Sequence, residues 1–236
     1  MRLVGERRAV AALVLAFFTL QYLLAGLFDD RLHELRYVLI ALGAAYGTGF
    51  VGVVSGWFWA RWYSLGLAFS GMAMACIAAW QAGGFFLELY ILGGSHLALG
   101  IGLMGTESAA FYDGRRDWRE RWKMDENAVN RLGKAIMRAG ASLPYLIVAG
   151  LAPRQSLGGE LVSVLALAVG IAGLAGIVRL RTWGLFAFGF SALASAATFS
   201  DAGLLWMPPA PLVAAALLAS AVVPFARPAW QHLTRD

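Results

Sequence analysis

The sequence predicts an all-α, polytopic membrane protein with eight transmembrane helices. Composition is the first observation behind this prediction. The 236 residues are 60% hydrophobic and 14% charged, with a mean hydropathy of +0.67, whereas a soluble domain carries about 25% charged residues. The second is segment length. A helix rising about 1.5 Å per residue needs about 20 mostly apolar residues to cross about 30 Å of hydrocarbon. Runs of that kind lie near 9–28, 37–59, 62–82, 85–104, 135–152, 159–178, 183–203 and 210–226. The third is the placement of Lys and Arg, which alternates from one inter-helix segment to the next.

In lipid every backbone polar group must be satisfied internally, so segments of this length form helices. The first run has a basic start, but "YLLAGLFDD" lacks a small-residue cleavage pattern, so it is expected to remain as an uncleaved anchor. With the N-terminus inside, Arg2, Arg7, Arg8, Arg61, the central loop, Arg179, Arg181, Arg227 and Arg235 are cytoplasmic. Only Arg31, Arg36 and Arg154 lie opposite, beside Asp29, Asp30, Glu34, Glu160 and Asp201. The positive-inside rule then puts both termini in the cytoplasm. The net charge of +5 is a topology signal, and nucleic-acid binding is not expected. An Ala-, Leu-, Gly- and Arg-rich composition suits a bacterial cytoplasmic (inner) membrane.

The halves resemble one another. "QYLLAGL" from Gln21 recurs as "PYLIVAGL" from Pro144. Gly56 and Arg61 match Gly176 and Arg181; after a one-residue shift Trp62, Phe69 and Ser70 match Trp183, Phe190 and Ser191. This register suggests parallel duplication of a four-helix unit, as 1–104 and 135–236, and sets an apolar residue near Leu217 opposite His96. Four helices per half preserve orientation. Gly43, Gly47, Gly52, Gly56, Gly170, Gly173 and Gly176 offer small faces for close helix packing, within the chain or in a homo-oligomer.

Residues 105–134 form the expected cytoplasmic linker. Asp113-Gly114 is a turn signal, and Asp117 with Glu120 fits a capping box. Trp118 and Trp122, four apart among basic residues, suit a short amphipathic helix in the membrane surface. The loop serves as a lipid-anchored connector or as a docking platform for a membrane or cytosolic partner. Arg61, Trp62, Arg181 and Trp183 have the composition of headgroup anchors.

One span is more polar. "FFLELYILGGSHLALGIG" carries Glu88, Tyr90, Ser95 and His96. His96 lies near the expected midplane, while Glu88 is about 10 Å away toward the outer headgroups. These four residues are the candidate intramembrane polar site. A membrane imidazole is either neutral and bonded to a neighbouring helix or a proton or ligand site. Haem ligation has no second intramembrane histidine. The lone Cys76 supports neither a disulfide nor a CxxC site, and no HExxH, GxSxG or phosphate-loop motif occurs. No cofactor or metal is therefore expected. The sequence favours a non-catalytic subunit or scaffold of a membrane assembly. The alternative is a small-solute or ion/proton transporter with a site near His96 between the helix bundles.

Overall fold

The computed structural model describes residues 2–84, 86–113, 126–153, 156–199 and 209–233. Its described elements are α1 (Arg2–Phe28), a 3-10 turn (Asp30–Leu35), α2 (Arg36–Ser55), α3 (Phe58–Gln81), α4 (Leu87–Leu103), α5 (Thr106–Asp113), α6 (Glu126–Leu151), α7 (Leu157–Val178), α8 (Trp183–Ala197) and α9 (Ala210–Leu233). There is no strand among the described residues.

The chain is an all-α protein whose composition and helices suit a membrane. Gly5–Phe28, Asp30–Ser55, Phe58–Gln81 and Leu157–Val178 are long and apolar enough to cross one. Leu87–Leu103 and Thr106–Asp113 pass that test together, bent by 68°, so the described residues contain four such helices, or five counting the bent pair. The other expected segments differ for visible reasons. The first half of α6 carries Asn127, Asn130, Arg131, Lys134 and Arg138, which dilute its apolar run. Trp183–Ala197 and Ala210–Phe225 are apolar but shorter.

The chain divides into two compact units, Met1–Met124 and Asp125–Asp236. The division falls inside the segment expected to be a linker. α5 belongs to the first unit, and α6 begins nine residues before the apolar run at 135. In the first unit α1 packs on α2 and α4, and α3 packs on α2 and α4. In the second, α6 packs on α7 and α9, and α8 packs on α7 and α9. Each unit is thus a four-helix ring in chain order.

Small residues set how closely the helices approach. A Cβ at Gly43 would lie 2.8 Å from Leu23 Cγ of α1, and one at Gly52 would lie 2.6 Å from Ala60 Cβ of α3. In the second unit, a Cβ at Gly173 would meet Phe188 at 2.8 Å, and one at Gly184 would meet the Gly173 carbonyl at 2.6 Å. Without a hydrophobic drive between helices in lipid, such close packing supplies dispersion contacts instead. Of the glycines named from sequence, Gly43, Gly47, Gly52, Gly170, Gly173 and Gly176 have close neighbours inside the units.

The α2–α3 and α7–α8 connections repeat bond for bond. After α2, Gly56 N donates to Val53 O, Trp57 N to Gly52 O, and Ala60 N to Trp57 O. After α7, Leu180 N donates to Ile177 O, Arg181 N to Gly176 O, and Gly184 N to Arg181 O. Every pair is offset by the same 124 residues, from Gly56 at φ 69° to Leu180 at φ 60°. The sequence register pairs Gly56 with Gly176; the turns pair Gly52 with Gly176, Gly56 with Leu180 and Trp57 with Arg181. Arg61 and Arg181 are therefore not equivalent positions in these turns. Carried along the chain, the same offset sets His96 against Ser220 rather than Leu217.

Proline leaves its own trace in α9. Pro224 has no N–H, so the Ser220 carbonyl loses its helical donor. Arg138 Nη1 of α6 donates to that oxygen at 2.6 Å. A partly buried carbonyl left without a donor is costly, and the arginine offsets that cost.

The left-handed residue in each turn gives unequal predictions. Gly56→Ala forces a Cβ into left-handed backbone and should lower stability by about 1–2 kcal/mol. Leu180→Gly relieves the same strain and should lower it far less than a buried leucine truncation would. Thermal unfolding of both variants in detergent checks this; equal losses would contradict the shared turn geometry.

Candidate functional site

His96 is the only member of the expected polar site that the fold buries fully, with 0% of its surface exposed. Glu88 is exposed, as is Tyr90 at 63%. Ser95 is half-buried, and its hydroxyl donates to the Ile91 and Leu92 carbonyls of its own helix. The four residues therefore do not converge. Glu88 and Tyr90 lie away from the core that holds the imidazole.

The groups that meet His96 come from the other three helices of the ring. Tyr46 of α2 brings its Oη within 2.5 Å of Nε2. Phe18 of α1 lies against the ring at 4.4 Å between centroids. Tyr22 stacks beside Phe18 and also approaches Tyr46, at 5.9 and 5.6 Å between centroids. On α3, a Cβ at Gly71 would overlap the imidazole, so the absence of a side chain there makes room for it. Glycine at 71 is a steric requirement of histidine at 96.

Hydrogen bonding defines the proton arrangement. Nδ1 lies 2.7 Å from the Leu92 carbonyl, which can only accept. Nδ1 therefore carries a proton. In the neutral ring Nε2 accepts from the Tyr46 hydroxyl. Both ring nitrogens are satisfied within the unit. This arrangement bonds two helices together and suits a neutral histidine.

The first unit has a second polar centre, which the sequence did not indicate. Arg61 is buried at 7% exposure. Its Nη1 is 2.8 Å from Asp113 Oδ2, and its Nε donates to the Leu103 carbonyl at 3.0 Å. Trp62 Nε1 donates to Asp113 Oδ1 at 3.2 Å. The guanidinium also lies over the Trp62 ring, 4.8 Å from its centroid. Arg61 and Trp62, expected to reach headgroups, turn instead toward α5. Arg61 satisfies a carbonyl at the end of α4, and Asp113 neutralises it; a buried arginine needs both.

A neighbouring arginine does the same for α2. Arg8 of α1 donates from Nε to the Val53 carbonyl at 3.1 Å and from Nη2 to the Val54 carbonyl. Tyr112 Oη also donates to Val53 O, at 3.1 Å. Phe111 lies under the Arg8 guanidinium, 5.0 Å from its centroid. Through Phe111, Tyr112 and Asp113, the short α5 closes one end of the four-helix ring.

Of the remaining expected anchors, Arg181 is exposed and Trp183 is 48% exposed, its ring over Gly176. Trp118 and Trp122 lie outside the described residues. The sequence reading missed Phe18, Tyr22, Tyr46, Gly71 and Asp113. Tyr22 and Tyr46 carried a faint signal, as hydroxyls inside otherwise apolar runs. Asp113 was visible only as half of a turn motif.

Two tests separate these centres. Tyr46→Phe and His96→Leu should each lower stability by about 0.5–2 kcal/mol, and the double variant should lose less than the sum of the two. Strict additivity would mean the hydrogen bond contributes nothing. Asp113→Leu leaves a buried guanidinium unpaired and should cost about 3–5 kcal/mol, partly recovered by adding Arg61→Met. Unfolding in detergent reads both. Comparison with protein-family models, with curated proteins and with solved structures finds no match to this chain.

Proposed function

We propose that the protein is a non-catalytic, multi-pass subunit or scaffold of a bacterial inner-membrane assembly. The observation that carries this reading is the closure of His96. It has no exposed surface, both nitrogens are bonded, and its ring fills the space that Gly71 leaves. A reactant or transported solute has no surface of this imidazole to meet. In this reading, the residue best suited by type for membrane chemistry is used for packing.

The unit architecture adds support. Two four-helix rings, with turns matched at one 124-residue offset, favour duplication of an eight-span chain, both termini cytoplasmic. In this reading α6, α8 and α9 complete the spans as members of packed rings, where neighbouring helices tolerate shorter or more polar segments. Leu13, Phe17 and Leu20 of α1, and Leu157, Leu161 and Leu165 of α7, are exposed and face lipid or an apolar partner. The segment around 105–134 remains the proposed docking loop for a membrane or cytosolic partner.

One observation favours the transport alternative. The hydroxyls of Ser64 and Ser70 are buried in the first unit with no hydrogen-bond partner. Buried hydroxyls of this kind are commonly satisfied by water, and a hydrated path along α3 would bring solvent toward the Tyr46–His96 pair.

Extraction in mild detergent should recover the protein with another membrane protein in fixed stoichiometry. A clean monomer supporting His96-dependent solute or proton flux in proteoliposomes would overturn the scaffold reading. For the topology, single cysteines at Asp30 and Gly158 in a Cys76→Ser background should react with an impermeant maleimide added outside intact spheroplasts. A cysteine at Arg179 should react only after permeabilisation. Labelling of Arg179→Cys from outside would contradict the proposed orientation.

A further inference from the structure

The first half of α6 is amphipathic in a way that the scaffold reading leaves unused. At about 100° per residue, Asn127, Arg131, Lys134 and Arg138 fall within a sector about 60° wide. Arg131 and Lys134 are exposed and Arg138 is half-buried. The opposite side holds Val129, Leu132, Ile136 and Ala139, all buried. Beyond Glu126, α6 has no carboxylate. Among the described residues, the ion pair formed is Arg61–Asp113, in the other unit. Among the described residues, the three cations thus form a stripe without an acidic partner.

The stripe ends at a definite level. Every residue from 141 to 150 is buried and, apart from Ser142, Pro144 and Tyr145, aliphatic or glycine. Ala139 and Gly140 are buried too, so Arg138 stands directly before this buried stretch. One of its N–H groups is held on the Ser220 carbonyl; the guanidinium is thereby fixed between α6 and α9, with other donors left over. A cation anchored where an apolar run starts, with two more behind it on the solvent side, matches the depth and charge of a phospholipid headgroup.

We propose that Arg131, Lys134 and Arg138 bind the phosphate of an anionic lipid at the membrane surface. The proposal rests on the reading that the apolar second half of α6 lies in the bilayer. Arginine supplies paired donors to phosphate oxygens, and lysine adds a compact charge. The chemistry is that of a phosphodiester; the source is a headgroup rather than free phosphate, because the stripe runs straight into the apolar segment.

The test uses the full chain purified in neutral detergent, with dioleoyl phosphatidylglycerol as probe and dioleoyl phosphatidylcholine as the zwitterionic control. Native mass spectrometry reads bound lipid, and thermal unfolding reads stabilisation. The wild type should retain the anionic lipid at least about tenfold more strongly than the control. Arg131→Gln with Lys134→Gln should abolish that preference while leaving the lipid-free midpoint unchanged, since both side chains are exposed. Arg131→Lys with Lys134→Arg should keep it. Equal preference in the wild type and the double glutamine variant would overturn the proposal, as would displacement of the lipid by millimolar inorganic phosphate. Alkaline carbonate washing of membranes tests the underlying reading separately. Release of the chain there would refute its insertion, whereas retention without lipid preference would refute the headgroup site alone.

Discussion

Backbone carbonyls that lose their helical donors inside an apolar protein must find others. That constraint organises much of the structure. At the end of α2, Val53 and Val54 are served by Arg8, and Val53 also by Tyr112. At the end of α4, Leu103 is served by Arg61. In α9, Ser220, orphaned by Pro224, is served by Arg138. Val53 also keeps a donor in its own turn, Gly56 N; in each case a side-chain donor comes from another helix, so satisfying one helix also fastens it to a neighbour. Three arginines that composition would assign to the membrane surface act as tertiary struts, with one held against aspartate and the others carrying partial or open solvation.

The Tyr46–His96 bond adds a lateral tie within the same unit. It joins α2 to α4, while Gly71 of α3 and Phe18 of α1 define the space for the ring. All four helices therefore share one locus. A polar pair of this kind specifies the relative positions of helices more sharply than aliphatic packing does, because a hydrogen bond fails with small shifts that leucine contacts tolerate. In the proposed scaffold role, a directional bond in the interior would help hold one geometry when a partner docks.

The helical segments were legible because the bilayer imposes a single dominant pattern: apolar runs of about 20 residues. Their ends were less so. α6 begins at Glu126 because its amphipathic first half packs as helix, although its charges break the apolar run. The candidate site was legible in one residue. His96 stood out as an ionisable group among aliphatics, but its partners did not: Tyr22 and Tyr46 read as ordinary members of apolar spans, and Gly71 as one small residue among many. Asp113 was hidden for a different reason. Its role depends on a 68° bend between α4 and α5, with Gly105 at φ 102° between them, and no periodicity in the sequence encodes that direction. The turns match at a different offset from the side-chain pairs because a backbone turn is fixed by hydrogen bonds that leave little trace in side-chain identity.

The Arg61–Asp113 pair also has a consequence for biogenesis. Arg61 is translated 52 residues before the carboxylate that neutralises it. Until α5 emerges, the guanidinium has no buried partner and is most stable in contact with water or phosphate. The ring of the first unit therefore lacks its charge pair at that end until residue 113 is present. The buried pair of the first unit thus becomes available only with the unit's own last helix.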